Sequence, residues 1–358
     1  MNQSPDKRYN DDVKLPKYDT NKIAIIGCGK VGMSTAFALL LEEIPNELLL
    51  IGRDESKIKG EELDLEHGLS FLGAAQVHAS TNYEDLKDTD IVIITAGAAQ
   101  KPGDTRLDLI KDNKAIIHEM IPKIVTYAPE AVIILITNPV DILTFEAAKL
   151  SGWPIGRVFG TGTTLDTSRF RFHLSEYLNV NPKSIHAFIL GEHGDSSFPA
   201  LTGAVVGGQS LLSMPKMTQA KAENAYKKTR DAAYKIIESK GATFYAIAVA
   251  IVELVRAVLR DSKQIFPVSI PLQNYHGVSN VALSVPCVVG RAGVEQTIEI
   301  KLSWEEKQLL EKSADTLKKF LWLFLTMRTI LRSSPADLHF LDNRATTRAG
   351  FASPAVNL

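Results

Sequence analysis

An α/β protein is what this sequence predicts: a doubly wound parallel sheet over the first part of the chain, then an α+β region. Three observations carry that expectation. The first half alternates short, unbroken Val/Ile/Leu runs with amphipathic stretches, as strands covered by helices on both faces do. A glycine-rich turn follows the first of those runs and opens a helix. Past about residue 160 the pattern changes to longer amphipathic helices and isolated strand-like pieces. With 358 residues, 45% of them hydrophobic, the chain suits about two domains and is too apolar for disorder.

Residues 1–20 are polar and proline-punctuated, with no apolar signal-peptide core, and read as a flexible arm. Lys22–Gly27 reads as a buried strand and Val31–Glu43 as a helix. A second strand, Glu47–Gly52, leads into a charged helix over Lys57–His67. Asp90–Thr95 and Ala131–Thr137 are two more strands, separated by a helical pattern from Thr105 to Tyr127. Joined by right-handed crossovers, these make a nucleotide-type α/β domain over residues 21–160.

Residues 161–325 form the expected α+β substrate domain. A helix covers Asp166–Leu178 and stops at Asn179-Val-Asn-Pro182. Ser184–Leu190 reads as a short strand running into Gly191-Glu-His-Gly-Asp195. Long helices follow over Thr218–Lys240 and Thr243–Arg260, broken at Gly241. Strand-like pieces lie at Gln264–Pro271, Val281–Val289 and Gln296–Ile300, before a helix from Trp304 to about Leu325. Residues 326–358 are an atypical tail.

Composition excludes several classes. Lys+Arg total 40 against Asp+Glu 41, a net charge of −1, and no basic stripe suggests nucleic acid or a polybasic membrane anchor. Cys28 and Cys287 are the two cysteines, too few for a disulfide scaffold or a cysteine zinc site. A reducing, cytoplasmic compartment is expected. The apolar run Phe320–Met327 is eight residues long, against the ~20 needed to span a bilayer.

Three segments carry chemistry. Gly27-Cys-Gly-Lys-Val-Gly32 has the spacing G-x-G-x-x-G between a strand and a helix. Gly27 makes the tight turn, Gly29 lets backbone approach a pyrophosphate, and Gly32 lets helix and strand pack closely. In Leu190-Gly-Glu-His-Gly-Asp-Ser196, His193 sits between glycines with little local packing. A metal set of Glu192, His193 and Asp195 lacks helical spacing or a second histidine nearby. A general acid/base needs a carboxylate to fix its tautomer; Asp166 is the candidate, and Arg169 projects from the same helix face. The third segment, Thr95 to Arg106, leaves a strand through a proline-glycine loop and ends on Arg106 at the start of a helix. It reads as a lid that brings a guanidinium over bound substrate, or as an ordinary surface loop.

Together these motifs, in this order over roughly residues 21–320, resemble the L-lactate/malate dehydrogenase family. The resemblance implies a hydride-transfer enzyme on a Rossmann domain, using NAD(P). His193 would exchange the substrate hydroxyl proton, Asp166 would orient and stabilise the imidazolium, and Arg169 would hold the substrate carboxylate. Arg106 would polarise the reacting carbonyl; Asn138 would add a hydrogen bond, and Thr243 would line the pocket. Cofactor contacts are implied at Gly27, Gly29, Val31 and Gly32, at Gly52, Arg53, Lys57 and Tyr83, and at Gly97, Ala98, Thr137, Asn138 and Thr161. A non-catalytic descendant on the same fold is the reading of a different class; the presence of His193, Asp166, Arg169 and Arg106 speaks against it.

Within the family, Gln100 stands where malate enzymes carry an arginine, so pyruvate/L-lactate is expected rather than oxaloacetate/malate. Arg171 and His186 match positions that hold fructose 1,6-bisphosphate in regulated members, at an interface of a homotetramer. NAD-dependent relatives end the second strand with an aspartate, where this chain has Gly52 followed by Arg53. That pattern opens room for a 2′-phosphate, and NADP(H) acceptance is expected. Two competing readings stand: Asp54 replaces the lost carboxylate, or NAD binds adequately without it. The 38 residues after Phe320 depart from the family terminus and stay open between a disordered tail, a partner-binding segment and a reading-frame accident.

Overall fold

The computed structural model describes residues 21–98 and 106–332. The amino-terminal arm, Gln100 with the rest of the 99–105 loop, and the tail from residue 333 lie outside the described residues, as does the Arg106 side chain. The described residues up to Leu317 form one compact unit, and those from Lys318 belong to a second.

Unbroken aliphatic runs become the parallel strands. They are β1 (Lys22–Ile26), α1 (Lys30–Leu41), β2 (Glu47–Ile51), α2 (Glu55–Gly68), β3 (Gln76–Ser80), β4 (Ile91–Ile94), α3 (Arg106–Tyr127), β5 (Val132–Leu135), α4 (Val140–Ser151) and β6 (Val158–Gly160). All four residues of β4 and of β5 are buried, because helices cover both faces. Then follow α5 (Thr164–Leu178), β7 (Ile185–His186), β8 (Ile189–Leu190), β9 (Phe198–Pro199), β10 (Val205–Val206), β11 (Gln209–Ser210), α6 (Gln219–Lys240), α7 (Tyr245–Leu259), β12 (Gln264–Pro271), β13 (Ala282–Gly290), β14 (Gly293–Thr297) and α8 (Trp304–Arg332).

Nine strands make one sheet in the order β14-β13-β12-β6-β5-β4-β1-β2-β3. Strands β1 to β6 pair in parallel, and β12, β13 and β14 extend the sheet antiparallel from β6. Strand order reverses between β1 and β4, which places a ligand crevice at their carboxyl ends.

Several expectations need correction. Ser184–Leu190 is not one strand: β7 pairs with β10, while β8 pairs with β9 in a different sheet. The last strand lies at Gly293–Thr297 instead of Gln296–Ile300, and the final helix runs on to Arg332. The strands of the second half join the first half's sheet through the Ser269↔Gly160 pairing. No helix among the described residues is long and apolar enough to cross a membrane.

Candidate active site

The catalytic candidates converge from three separate pieces of chain. Asp166 and Arg169 lie one turn apart on α5, and Arg169 Nη1 donates to Asp166 Oδ1 at 3.1 Å. The other oxygen, Asp166 Oδ2, accepts from His193 Nδ1 at 2.7 Å. The three side chains thus lie together, joined through one carboxylate. One carboxylate fixes both the imidazole tautomer and the guanidinium plane. Arg169 Nη2 is buried and has no hydrogen-bond partner among the described residues.

Charge and burial compete at this pair. Burial disfavours the His193 imidazolium, but the charge and hydrogen bond of Asp166, helped by Asp141, outweigh it and raise the pKa to about 8. Burial would likewise raise Asp166, yet His193 and Arg169 hold its carboxyl below the usual range. The result is an ion pair at neutral pH.

Residues that the motifs did not reveal hold this centre in place. The His193 backbone N–H donates to Asp141 Oδ2 at 2.7 Å, and Ser269 Oγ donates to Asp141 Oδ1 at 2.6 Å. Asp141 thereby ties the histidine loop to the first turn of α4 and to β12. Its burial pushes the pKa up to about 6, against the hydrogen bonds from Ser269 and from the His193 backbone. Glu192 is buried as a structural tie: its N–H donates to Ser313 Oγ at 2.6 Å, and its Oε2 accepts from Ser196 at 2.5 Å. Buried Asn113, on α3, takes the Ala98 N–H at 2.6 Å and donates to the Asn138 carbonyl at 2.7 Å. It bridges Ala98, beyond the end of β4, to the turn before α4. An isolated buried Asp or Asn in sequence carries no signal for such a role.

The cofactor candidates ring the carboxyl ends of β1, β4 and β5. Gly27 has φ +108°, and a Cβ there would fall inside 3.0 Å of the Ala96 backbone. A Cβ on Gly32 would fall inside 3.0 Å of the Gly27 carbonyl, whereas nothing lies within 4 Å of one on Gly29. This cradle, closed at Gly27 and Gly32 and open at Gly29, fits a pyrophosphate at the start of α1, where Val31 lies in the first turn. Thr137 Oγ1 donates to the Ala96 carbonyl at 2.7 Å, and the Thr161 N–H donates to the Leu135 carbonyl at 2.9 Å. Gly97 packs against Thr137 and Asn113. Tyr83 is half-buried after β3, with Lys123 Nζ 5.0 Å from its ring centre.

Beyond β2, Arg53 and Lys57 are exposed. Asp54 caps α2, its Oδ1 accepting the Lys57 N–H at 3.1 Å, so its carboxylate is already engaged. One expectation fails here. Gly52 does not leave an open space beside its Cα, because Ile58 Cγ2 fills the place of a side chain. Thr243 is half-buried between α6 and α7.

The fold and this constellation define a nucleotide-binding dehydrogenase. Residues 21–160 match the lactate/malate dehydrogenase NAD binding domain, and residues 163–323 match the alpha/beta C-terminal domain of the same family. The chain belongs to the lactate/malate dehydrogenase family. It is 44% identical to an L-lactate dehydrogenase of Thermoanaerobacter pseudethanolicus over 303 residues, covering 83% of this chain and 97% of that one. Identity to an L-lactate dehydrogenase of Clostridium botulinum is 41% over 314 residues, 86% and 98% of the two chains. Among solved structures, a lactate dehydrogenase from a Medee basin deep-sea metagenome superposes with TM-score 0.81 at 38% identity, covering 84% of this chain and 98% of that one. The minor L-lactate dehydrogenase of Enterococcus mundtii, in its ligands-bound form, gives 0.82 at 37%, with the same coverage.

Proposed function

We propose that the chain is an L-lactate dehydrogenase, interconverting pyruvate and L-lactate with a nicotinamide cofactor in the cytoplasm. The observation that carries this reading is the single Asp166 carboxylate gripping both His193 and Arg169, with Arg169 Nη2 buried and without a partner among the described residues. When bound, the nicotinamide supplies the hydride for reduction and accepts it for oxidation. A buried guanidinium nitrogen without a partner is costly; a substrate carboxylate on Arg169 removes that cost and fixes the substrate's orientation. Asp166 occupies His193 Nδ1, so Nε2 exchanges the proton. With its pKa at about 8, His193 is mostly protonated at neutral pH, ready to protonate the carbonyl oxygen during reduction. Above that value the neutral ring is the base for lactate oxidation. Arg106, the first residue of α3, supplies the second cation for the carbonyl. Asn138 and Thr243 complete the substrate pocket. Gln100, being neutral, leaves the distal end of the substrate without the charge partner that a dicarboxylate needs. Initial rates with pyruvate and oxaloacetate, each with NADH and NADPH, test the reading. Higher kcat/KM for oxaloacetate would overturn it in favour of a malate enzyme.

The same proposal includes NADP(H) acceptance. It is supported by the missing acid at Gly52, by exposed Arg53 with no ion pair among the described residues, and by the engagement of Asp54 in capping α2. Arg53 would pair with a 2′-phosphate through charge-assisted hydrogen bonds. A hundredfold preference for NADH would refute this part.

Activation by fructose 1,6-bisphosphate is supported by the setting of Arg171. Arg171 Nε donates to the carbonyl of Ala187 at 2.9 Å, and the guanidinium stacks on Phe188 at 5.2 Å. The cation is held against the residue that follows exposed His186, and a sugar phosphate bound by both would bridge them. In a homotetramer such a site would favour the assembled, active form. A pyruvate saturation curve unchanged by millimolar effector would rule it out.

A further inference from the structure

The glycine at position 52 has a steric reason as well as a chemical one. Its backbone is not left-handed, so no turn demands glycine there. Space does. A Cβ would fall inside 3.0 Å of Ile58 Cγ2 and 3.7 Å from Ile58 Cβ, with Cys28 Sγ at 3.8 Å. Ile58 sits early in α2 and is 3% exposed. Its N–H closes the first turn on the Asp54 carbonyl at 3.0 Å, and Asp54 caps that turn. A β-branched side chain in a helix has essentially one χ1 well, so Cγ2 cannot swing aside cheaply.

We propose that Ile58 is a second cofactor-specificity residue, coupled to Gly52. By filling the volume of a side chain at 52, it keeps the end of β2 free of a carboxylate. Arg53 then faces a 2′-phosphate with no carboxylate at position 52 to repel it; Asp54 is held at the cap of α2, and the Glu119 carboxylate is the other acid within the field of Arg53. The role rests on the reading of Arg53 as the 2′-phosphate ligand, and it adds a prediction that reading does not make. An acidic residue at 52 and isoleucine at 58 exclude one another. Gly52→Asp alone must push Ile58 or α2 away, which misplaces the new carboxylate relative to a ribose. Shortening Ile58 to alanine removes Cγ2 and frees the volume.

The test is a double-mutant cycle on the full chain, with wild type, Gly52→Asp, Ile58→Ala and Gly52→Asp/Ile58→Ala. Dissociation constants for NADH and NADPH come from fluorescence titration, and Tm is measured alongside. Expected is that Gly52→Asp lowers Tm and gains less than about threefold in NADH affinity. The double variant should bind NADH about tenfold or more tightly than Gly52→Asp, and NADPH about tenfold more weakly than Ile58→Ala. A Gly52→Asp protein that does not fold beside a double variant that does supports the coupling. Equal NADH affinity in Gly52→Asp and the double variant overturns it, as does failure of both to fold. The wild-type preference is a separate readout: an NADH preference of about a hundredfold there overturns the Arg53 reading while the cycle still measures the coupling.

Discussion

Replacing Asp166 by asparagine removes the charge that sets the proton affinity of His193 while leaving an oxygen to accept the Nδ1–H bond. In the wild type, burial opposes the imidazolium, and Asp166 and Asp141 together still lift the pKa to about 8. An ordinary histidine titrates near ~6.5, so the net lift is about 1.5 units, or about 2 kcal/mol. Asp166 supplies most of it and also overcomes the burial, so the asparagine variant titrates at ~6.5 or below. At pH 7 the protonated fraction then falls from about nine-tenths to about a quarter or less. Pyruvate reduction loses about fourfold at that pH, and the falling limb of its kcat/KM profile moves down by about 1.5 units. Lactate oxidation loses more, because the imidazolium formed on the way to product has no counter-charge; about 2 kcal/mol corresponds to about thirtyfold. Stability follows the same linkage. His193 has a raised pKa, so its contribution is full below ~6.5 and fades as pH rises through about 8. Asp166, with a lowered pKa, contributes above ~4 and loses that contribution as pH falls through its depressed value. The Tm gap between wild type and Asp166→Asn should therefore be widest between ~4 and ~6.5. Initial rates in both directions across pH provide the assay. A falling limb that stays at about 8 in the variant would refute the assignment of Asp166 as the source of the shift.

Arg169→Lys keeps the charge but loses the planar fork that serves Asp166 and substrate together; kcat/KM for pyruvate should fall about ten- to hundredfold, mainly through KM. Asp141→Ala leaves the His193 N–H and the Ser269 hydroxyl without their acceptor, each costing about 1–3 kcal/mol, and should lower both Tm and kcat; an unchanged melting curve would show that Asp141 does not hold the histidine loop. Gln100→Arg should shift preference toward oxaloacetate, read as the ratio of kcat/KM for the two 2-oxo acids.

Much of the fold was legible because parallel strands buried on both faces leave unbroken aliphatic runs, as Ile91–Ile94 and Val132–Leu135 do. Gln76–Ser80 has no such run: it is the edge strand β3, with only one of its five residues buried. The two-residue strands β7 to β11 are too short for any periodicity to register. Within the site, His193, Asp166 and Arg169 carried local signals, a glycine-flanked histidine and a one-turn spacing on a helix. Asp141, Asn113 and Ser269 carried none, since what they do depends on contacts across 15 to 128 residues of chain. The same holds for Ile58. Nothing in the charged stretch around it discloses that its γ-methyl fills the side-chain position of Gly52.

We propose His193, charged by Asp166, as the proton donor of a 2-oxo-acid reductase. The most direct measurement of that role is the pH profile of pyruvate reduction by the wild type and by His193→Asn, with cofactor binding followed separately by fluorescence. Wild-type turnover should show a falling limb at about 8, and His193→Asn should bind cofactor normally yet turn over about 10²–10⁴-fold more slowly with that limb absent. A His193→Asn enzyme that keeps wild-type kcat/KM and the same limb would contradict it.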